Sequence, residues 1–518
     1  MSNNRSGALF PMLAMGGVGL FALASILLTE GNTIGEFCRY LLVAGFLLSV
    51  VAPRAGFFVW LALCGYNDLL KRLMIMGGRV SHADLPFVLG ITPAMFGGVV
   101  VALLLGGLLG GRRLMPRDFF ALLAGGALMA ATGGLALAQK GGMNGVLQAL
   151  ANNGLYALLL FVLPLLFRTA EDLQRLWRFL IFAFLPVAVY GVVQQVNGFS
   201  TFEVEYLRTG LSIEGYQLAS ERVRAFSTLN SPSALSAVCA FLAVMSLHLG
   251  FVPREKGQPR LLPGWLAVLC FIAHFAGLVA STSRTPLLLV PAALFGGWCF
   301  YNRGRTRMFY FMAVGGFLLL VLSSSSLINN LETVTRFLDS LAPSDSFVGR
   351  MVVVGTYWDR LEGFATVLMN PEAYTLFGWG ISETGEGRFH YHDPLSEVLV
   401  RFGSLALLFL LVMAAVLLQR SHSQAWRLHQ PKDRRAASQF IALAFALIAV
   451  SAISGSILTV FPNNVFFWMS LAGVAALARQ QSLEENKQRS LAAEDSPAAV
   501  PDKLRPLRPR SRRISMSS

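Results

Sequence analysis

Histidine, arginine and proline gather in three short stretches that each run into an apolar segment: RVRAFSTLNSP (222–232), STSRTP (281–286) and RFHYHDPLSEVLVRFG (388–403). In the third, His392 carries an imidazole whose ordinary pKa of about 6.5 suits it to act as a general base at neutral pH, taking a proton from an attacking hydroxyl. His390 competes for that role. Asp393 before Pro394 reads as a helix N-cap more than as a base, because aspartate accepts from orphan backbone donors and proline at the first helical position loses no needed N–H. Glu397 and Arg401 stand four apart, in the favourable order for a pair along one helix face. In the first two stretches, Arg224 and Arg284 supply planar, permanently charged forks that bind phosphate oxygens bidentately, and two such forks suit a diphosphate. Arg222 and Arg208 are the fallback positions. Bland readings stand beside these: Arg284 snorkelling at a helix end, Arg224 paired with Glu221 or Glu214, and His392 meeting only headgroups.

The elements that must position these groups are helices starting at or near Pro232, Pro286 and Pro394. A helix start carries free N–H donors and partial positive charge, so three converging starts would form an anion site. The composition makes those helices membrane-spanning. Apolar residues make up 55% of the chain and charged residues 14%; mean hydropathy is +0.59. Together these exclude an ordinary soluble globule.

Apolar runs fall near 7–29, 37–51, 55–67, 90–110, 118–138, 151–167, 177–196, 232–250, 263–281, 285–301, 308–325, 395–418, 437–459 and 463–478. The expected fold is an all-α polytopic membrane protein with about 12–14 transmembrane helices, forming a single membrane domain over 1–480. The net charge of +14 sits mostly in short loops and in the tail, a pattern that sets topology and gives no reason to expect a nucleic-acid partner. With the N-terminus in the cytoplasm, the basic segments 111–117, 168–178, 253–260, 302–307 and 419–436 and the tail all fall inside, so both termini are expected to be cytoplasmic.

The long outer segments are then 68–89, 197–231 and 326–394, and loops of that length are usually functional or disordered. Within the last, Phe347, Met351, Val354, Trp358, Leu361, Ala365 and Leu368 recur at helical spacing, which predicts an amphipathic helix on the outer membrane surface. The tail, 481–518, lacks apolar periodicity and is expected to be disordered, its arginines touching anionic lipid headgroups. The first run, 7–29, reads as a retained span and not as a signal peptide.

Cys38, Cys64, Cys239, Cys270 and Cys299 lie in or beside apolar runs and read as packing residues. His248 and His274 fall inside spans, His422 and His429 fall on the inner side, and His82 with Asp84 has no assigned role. No phosphate loop, zinc motif or Asp-rich metal site appears in the outer loops, so no cofactor or metal is expected.

Over about 190–415 the chain resembles the O-antigen ligase and polymerase superfamily of bacterial envelope glycosyltransferases. The resemblance rests on the arginine of RAFSTLNSP, the Ser-Arg of STSRTP, GRMVVVGTYW (349–358), FGWG (377–380) and the histidine motif, in that order. It implies an enzyme of the bacterial inner membrane. That enzyme would transfer glycan from an undecaprenyl-diphosphate-linked saccharide to a sugar hydroxyl at the outer face, without metal and with inversion. By the same resemblance Arg224 and Arg284 hold the donor diphosphate, His392 activates the acceptor, and Arg350 supports the site. The implied partners are the lipid-linked donor, a saccharide acceptor, membrane lipids and a chain-length regulator. The family commonly shows His-Asn where this chain has His392-Asp393, and HDPLSEVLVRFG looks closer to exopolysaccharide polymerases than to lipid A core ligases.

Two other readings stay open: a ligase acting on lipid A core or protein, and a transporter of polysaccharide or lipid-linked oligosaccharide. Transporters place ionisable groups near the bilayer midplane, and these spans are nearly free of charge.

Overall fold

A computed structural model of the chain describes residues 33–76, 85–108, 114–138, 146–147, 149–151, 154–167, 169–212, 216–219, 224–251, 262–283, 285–322, 367–378, 394–454 and 460–495. Among the described residues the fold is helical and no strand occurs. In chain order the helices are α1 (Thr33–Val51), α2 (Pro53–Met76), α3 (Leu85–Leu108), α4 (Pro116–Ala138), and α5 (Leu159–Leu166) after a 3₁₀ turn at Gly154–Leu158. Then come α6 (Ala170–Ala183), α7 (Leu185–Asn197), α8 (Thr201–Arg208), α9 (Tyr216–Ala219), α10 (Pro232–Phe251), α11 (Gly264–Ala280), α12 (Thr285–Phe300) and α13 (Arg303–Leu322). The last are α14 (Pro394–Phe402), α15 (Ser404–Trp426), α16 (Pro431–Ser454) and α17 (Asn463–Asp495).

Every apolar run from 37 onward meets a helix, and the chain is an all-α polytopic membrane protein. Among the described residues, Phe87–Leu108, Glu171–Asn197, Pro232–Phe251, Ser404–Trp426 and Pro431–Ser451 are long and apolar enough to cross a bilayer. The 7–29 run lies outside the described residues.

The helices sort by position in the bundle. α10 is apolar all round and 83% of its apolar window is buried, against 11% for α15. A helix hydrophobic on every side is satisfied in the centre, whereas α15 turns its leucines outward towards lipid. α1 packs on α3, α10 on α11 and α12, α12 on α16, and α17 on α5 and α16. Close approach needs small residues: a side chain at Gly98 on α3 would run into the carbonyl oxygen of Phe46 on α1. Pro186 interrupts Glu171–Asn197, and neighbouring helices take up the carbonyls near the bend. The Tyr66 hydroxyl donates to the Ala183 carbonyl at 2.6 Å, and His274 Nε2 lies 3.1 Å from the Ile181 carbonyl oxygen.

Three expectations need correction. α2 runs on to Met76, so the outer segment expected at 68–89 begins as helix and buries Asp68 and Arg72. The 395–418 run is broken at Gly403, which adopts φ +92° between α14 and α15. The disorder expected from 481 does not begin there, since α17 continues to Asp495. Glu484, Glu485, Lys487, Gln488, Ala492 and Ala493 are good helix formers, and extending an existing helix avoids the cost of nucleation. The remaining tail, 496–518, lies outside the described residues, as do 347–366 of the expected amphipathic helix.

Candidate functional site

The site is built where the RAFSTLNS loop enters α10. Ser231 caps that helix by accepting from the Ala234 N–H at 3.2 Å. Ser227 holds a left-handed backbone at φ +56°, uncommon for a residue with a side chain. Several contacts over-determine it: its N–H donates to Gln194 Oε1 at 2.6 Å, its hydroxyl donates to the Val187 carbonyl at 2.6 Å, and Phe226 N–H shares Gln194 Oε1 at 3.2 Å. Thr228 donates to the Gly65 carbonyl at 2.6 Å, and Phe226 stacks on Phe199 with ring centroids 5.1 Å apart. Strain that the surroundings hold in place in this way is typical of functional loops.

Beneath the loop lies a buried ionic cluster. Arg72, at the end of α2, donates through Nη2 to the carbonyls of Ser227 at 2.7 Å and Leu229 at 3.3 Å. Its guanidinium carbon stands 4.9 Å from the Phe226 ring centroid, and its Nη1 reaches Glu203 at 3.4 Å. Glu203 on α8 also accepts from the Tyr190 hydroxyl at 3.0 Å, the Ser200 N–H at 3.0 Å, the Ser200 hydroxyl at 2.8 Å, and Gln194 Nε2. A carboxylate wholly removed from water is stable only when its lone pairs are met, and here they are.

The second predicted stretch meets the first. Its turn follows α11, with Ser281 donating to the Leu278 carbonyl at 2.7 Å and Thr282, like Ser227, holding a left-handed backbone at φ +50°. Arg224 is half-buried: its N–H donates to Gln217 Oε1 at 2.8 Å, and its Nη2 reaches Ser283 Oγ at 3.4 Å. Ser283 is the sequence neighbour of Arg284. Two strained turns, each leading into a helix start, are thus joined by the guanidinium of Arg224, and both helices direct the positive ends of their dipoles to that end of the bundle.

The third helix start is at the same end. α15 runs from Ser404 to Trp426, whose indole N–H donates to the Phe300 carbonyl at 3.3 Å, at the far end of α12. Ser404, and α14 before it, therefore lie at the end where α12 begins. At the break, Ser404 N–H donates to the Thr375 carbonyl at 3.1 Å and Leu405 N–H to the Leu376 carbonyl at 3.2 Å. The start of the FGWG motif is thereby held against the helix that follows the histidine motif.

Of the sequence-predicted site residues, Arg224 is placed as above, and Glu397 lies in α14. Arg284, Arg350, His390, His392, Asp393 and Arg222 lie outside the described residues, as do His82, Glu214 and Glu221. All five cysteines are buried and none forms a disulfide, and His422 is a buried helical residue whose Nε2 lies 2.9 Å from the Tyr310 hydroxyl.

Sequence reasoning did not find Arg72, Glu203 or Gln194. One signal was available, the Asn67-Asp68 and Lys71-Arg72 pairs closing an apolar run: four charged or amide groups at helical spacing next to a span indicate a helix that carries polar groups into the bundle. Compared with protein-family models and with curated proteins, the chain matches none.

Proposed function

We propose that this chain is a glycosyltransferase of the bacterial inner membrane, moving glycan from an undecaprenyl-diphosphate-linked saccharide to a sugar hydroxyl at the outer face, and that it polymerises exopolysaccharide or O-antigen repeat units. The observation that carries this reading is the Arg224–Ser283 contact, which brings the two arginine-bearing turns of the sequence together at the starts of α10 and α12. In this reading Arg224 and Arg284 meet the diphosphate oxygens. The acceptor hydroxyl gives its proton to His392 as its oxygen bonds to the anomeric carbon, and the bond from that carbon to the diphosphate breaks on the opposite side with inversion. The departing lipid diphosphate gathers negative charge, which prearranged guanidinium groups and helix dipoles stabilise without reorganising. Arg350 supports the donor side, and both termini face the cytoplasm.

The test is a glycan profile of cells carrying wild type, Arg224→Ala, Arg284→Ala or His392→Ala, with lipid-linked single repeats and long polymer measured together. Polymer falling about 100-fold or more in each variant, with single repeats accumulating and protein still inserted, is the expected result. Intact polymer that has lost its attachment to lipid or protein would identify a ligase. Unaltered products in all three variants would dismiss the assignment.

A further inference from the structure

At the opposite end of the bundle, where α4 begins and α15 ends, a cleft opens between α4, α5, α15 and α17. Its inner part is apolar, floored by Ala121, Ala124, Leu160, Pro164, Leu417 and Leu471. Its mouth widens into a polar cavity of about 1010 Å³, and Arg117, Arg420 and Gln424 line both parts.

The two arginines are held differently. Arg117 donates to the Ala478 carbonyl at 2.8 Å and to Ser482 Oγ at 2.5 Å, while the Arg420 guanidinium carbon lies 3.4 Å from the Phe120 ring centroid. Asp118, which lines the inner part, pairs with Arg479 at 3.1 Å, and Glu485, which lines the mouth, lies 3.7 Å from His429. Among the described residues no carboxylate pairs with Arg117 or Arg420. Arg117, Arg420 and Arg427 line the mouth against Glu485, so the cleft carries an excess of positive charge. Along the same face of α15, Val412 and Val416 are 53% and 46% exposed, and Phe120 on α4, against which Arg420 lies, is 42% exposed, which leaves apolar surface beside the two arginines.

From this juxtaposition we infer that the cleft is a binding site for an anionic phospholipid, its phosphate between Arg117 and Arg420 and an acyl chain along the apolar groove between α4 and α15. The charge decides the headgroup. A zwitterionic lipid brings its own cation into a mouth that already has a cationic excess, whereas an anionic one offsets that excess. The apolar surface decides in favour of a lipid over free phosphate, because a soluble anion would leave it unused.

The experiment uses the full chain, purified and delipidated in detergent, and measures retained lipid by native mass spectrometry with palmitoyl-oleoyl phosphatidylglycerol or phosphatidylcholine at equal concentration. Preferential retention of phosphatidylglycerol is expected, reduced about fivefold by Arg420→Gln and largely kept by Arg420→Lys. Glycerol 1-phosphate should not displace it. Equal retention of both lipids, or unchanged retention in Arg420→Gln, would overturn the proposal, and full displacement by glycerol 1-phosphate would overturn the acyl part. If Arg420→Gln fails to fold, wild type with a photoactivatable acyl chain decides. Cross-links in 116–124 or 409–420 are expected, and cross-links elsewhere overturn the site.

Discussion

Among individual residues, Arg72 ties together several parts of the candidate site. One guanidinium joins the end of α2, the carboxylate of α8 and two carbonyls of the loop that carries Arg224. A surface ion pair of similar length would be worth little, but this one is 2% and 0% exposed at its two side chains, so removing one partner strands the other in a medium that cannot solvate it. Arg72→Met should therefore lower unfolding stability by about 3–5 kcal/mol, and Arg72→Met combined with Glu203→Gln should recover part of that loss. Thermal unfolding of the purified chain in detergent reads both. A cost below about 1 kcal/mol for the single variant would show that the cluster does not hold the loop. As a positioning residue under the loop, Arg72 should affect turnover through the placement of Arg224, and the double variant should regain stability before it regains activity.

For the elements, the informative one is the break between α14 and α15. A run of apolar residues from 395 to 418 gives no reason to stop a helix, and glycine is common inside spans. What stops it is distant in sequence: the 375–376 backbone returns to meet the first N–H groups of α15, and Gly403 has no room for a side chain, since a Cβ would collide with the Leu376 carbonyl oxygen and the Gly378 nitrogen. Gly403→Ala should thus cost roughly 1–3 kcal/mol through its left-handed backbone, and should reduce glycan product while leaving the bundle inserted and helical by circular dichroism. Product at wild-type level would mean that the break has no part in the site.

This element also shows what the sequence could reveal. Spans were legible because their signal is local, about 20 apolar residues between basic loops, and the starts at Pro232, Thr285 and Pro394 fell where proline and capping residues indicated. The joining of Arg224 to Ser283 was legible only as a hope of convergence, because fifty-odd intervening residues carry no record of it. Arg72, Glu203 and the Gly403 break depend on tertiary partners and left only weak local traces.

For the molecule as a whole, the two ends of the bundle differ in chemistry. One end collects the strained turns, the Arg224–Ser283 contact and the starts of α10, α12 and α14. The other collects the Asp118–Arg479 pair, the Arg117–Arg420 cleft and the basic segments after α12 and α15. By the positive-inside rule, the excess of lysine and arginine at the second end predicts that it faces the cytoplasm and that the proposed donor site faces outward. Because all five native cysteines are buried, the protein offers a quiet background for testing this with a membrane-impermeant maleimide. Asn230 and Gln430 are both exposed, one at each end. Asn230→Cys should be labelled in cells whose outer membrane alone is opened, and Gln430→Cys only after the inner membrane is also permeabilised. The reverse pattern would put Arg224 on the cytoplasmic side, away from any saccharide already carried across the membrane. The glycosyltransferase reading would then fail even if every contact around Arg72 held, because the chemistry of the site depends on the side of the membrane it faces.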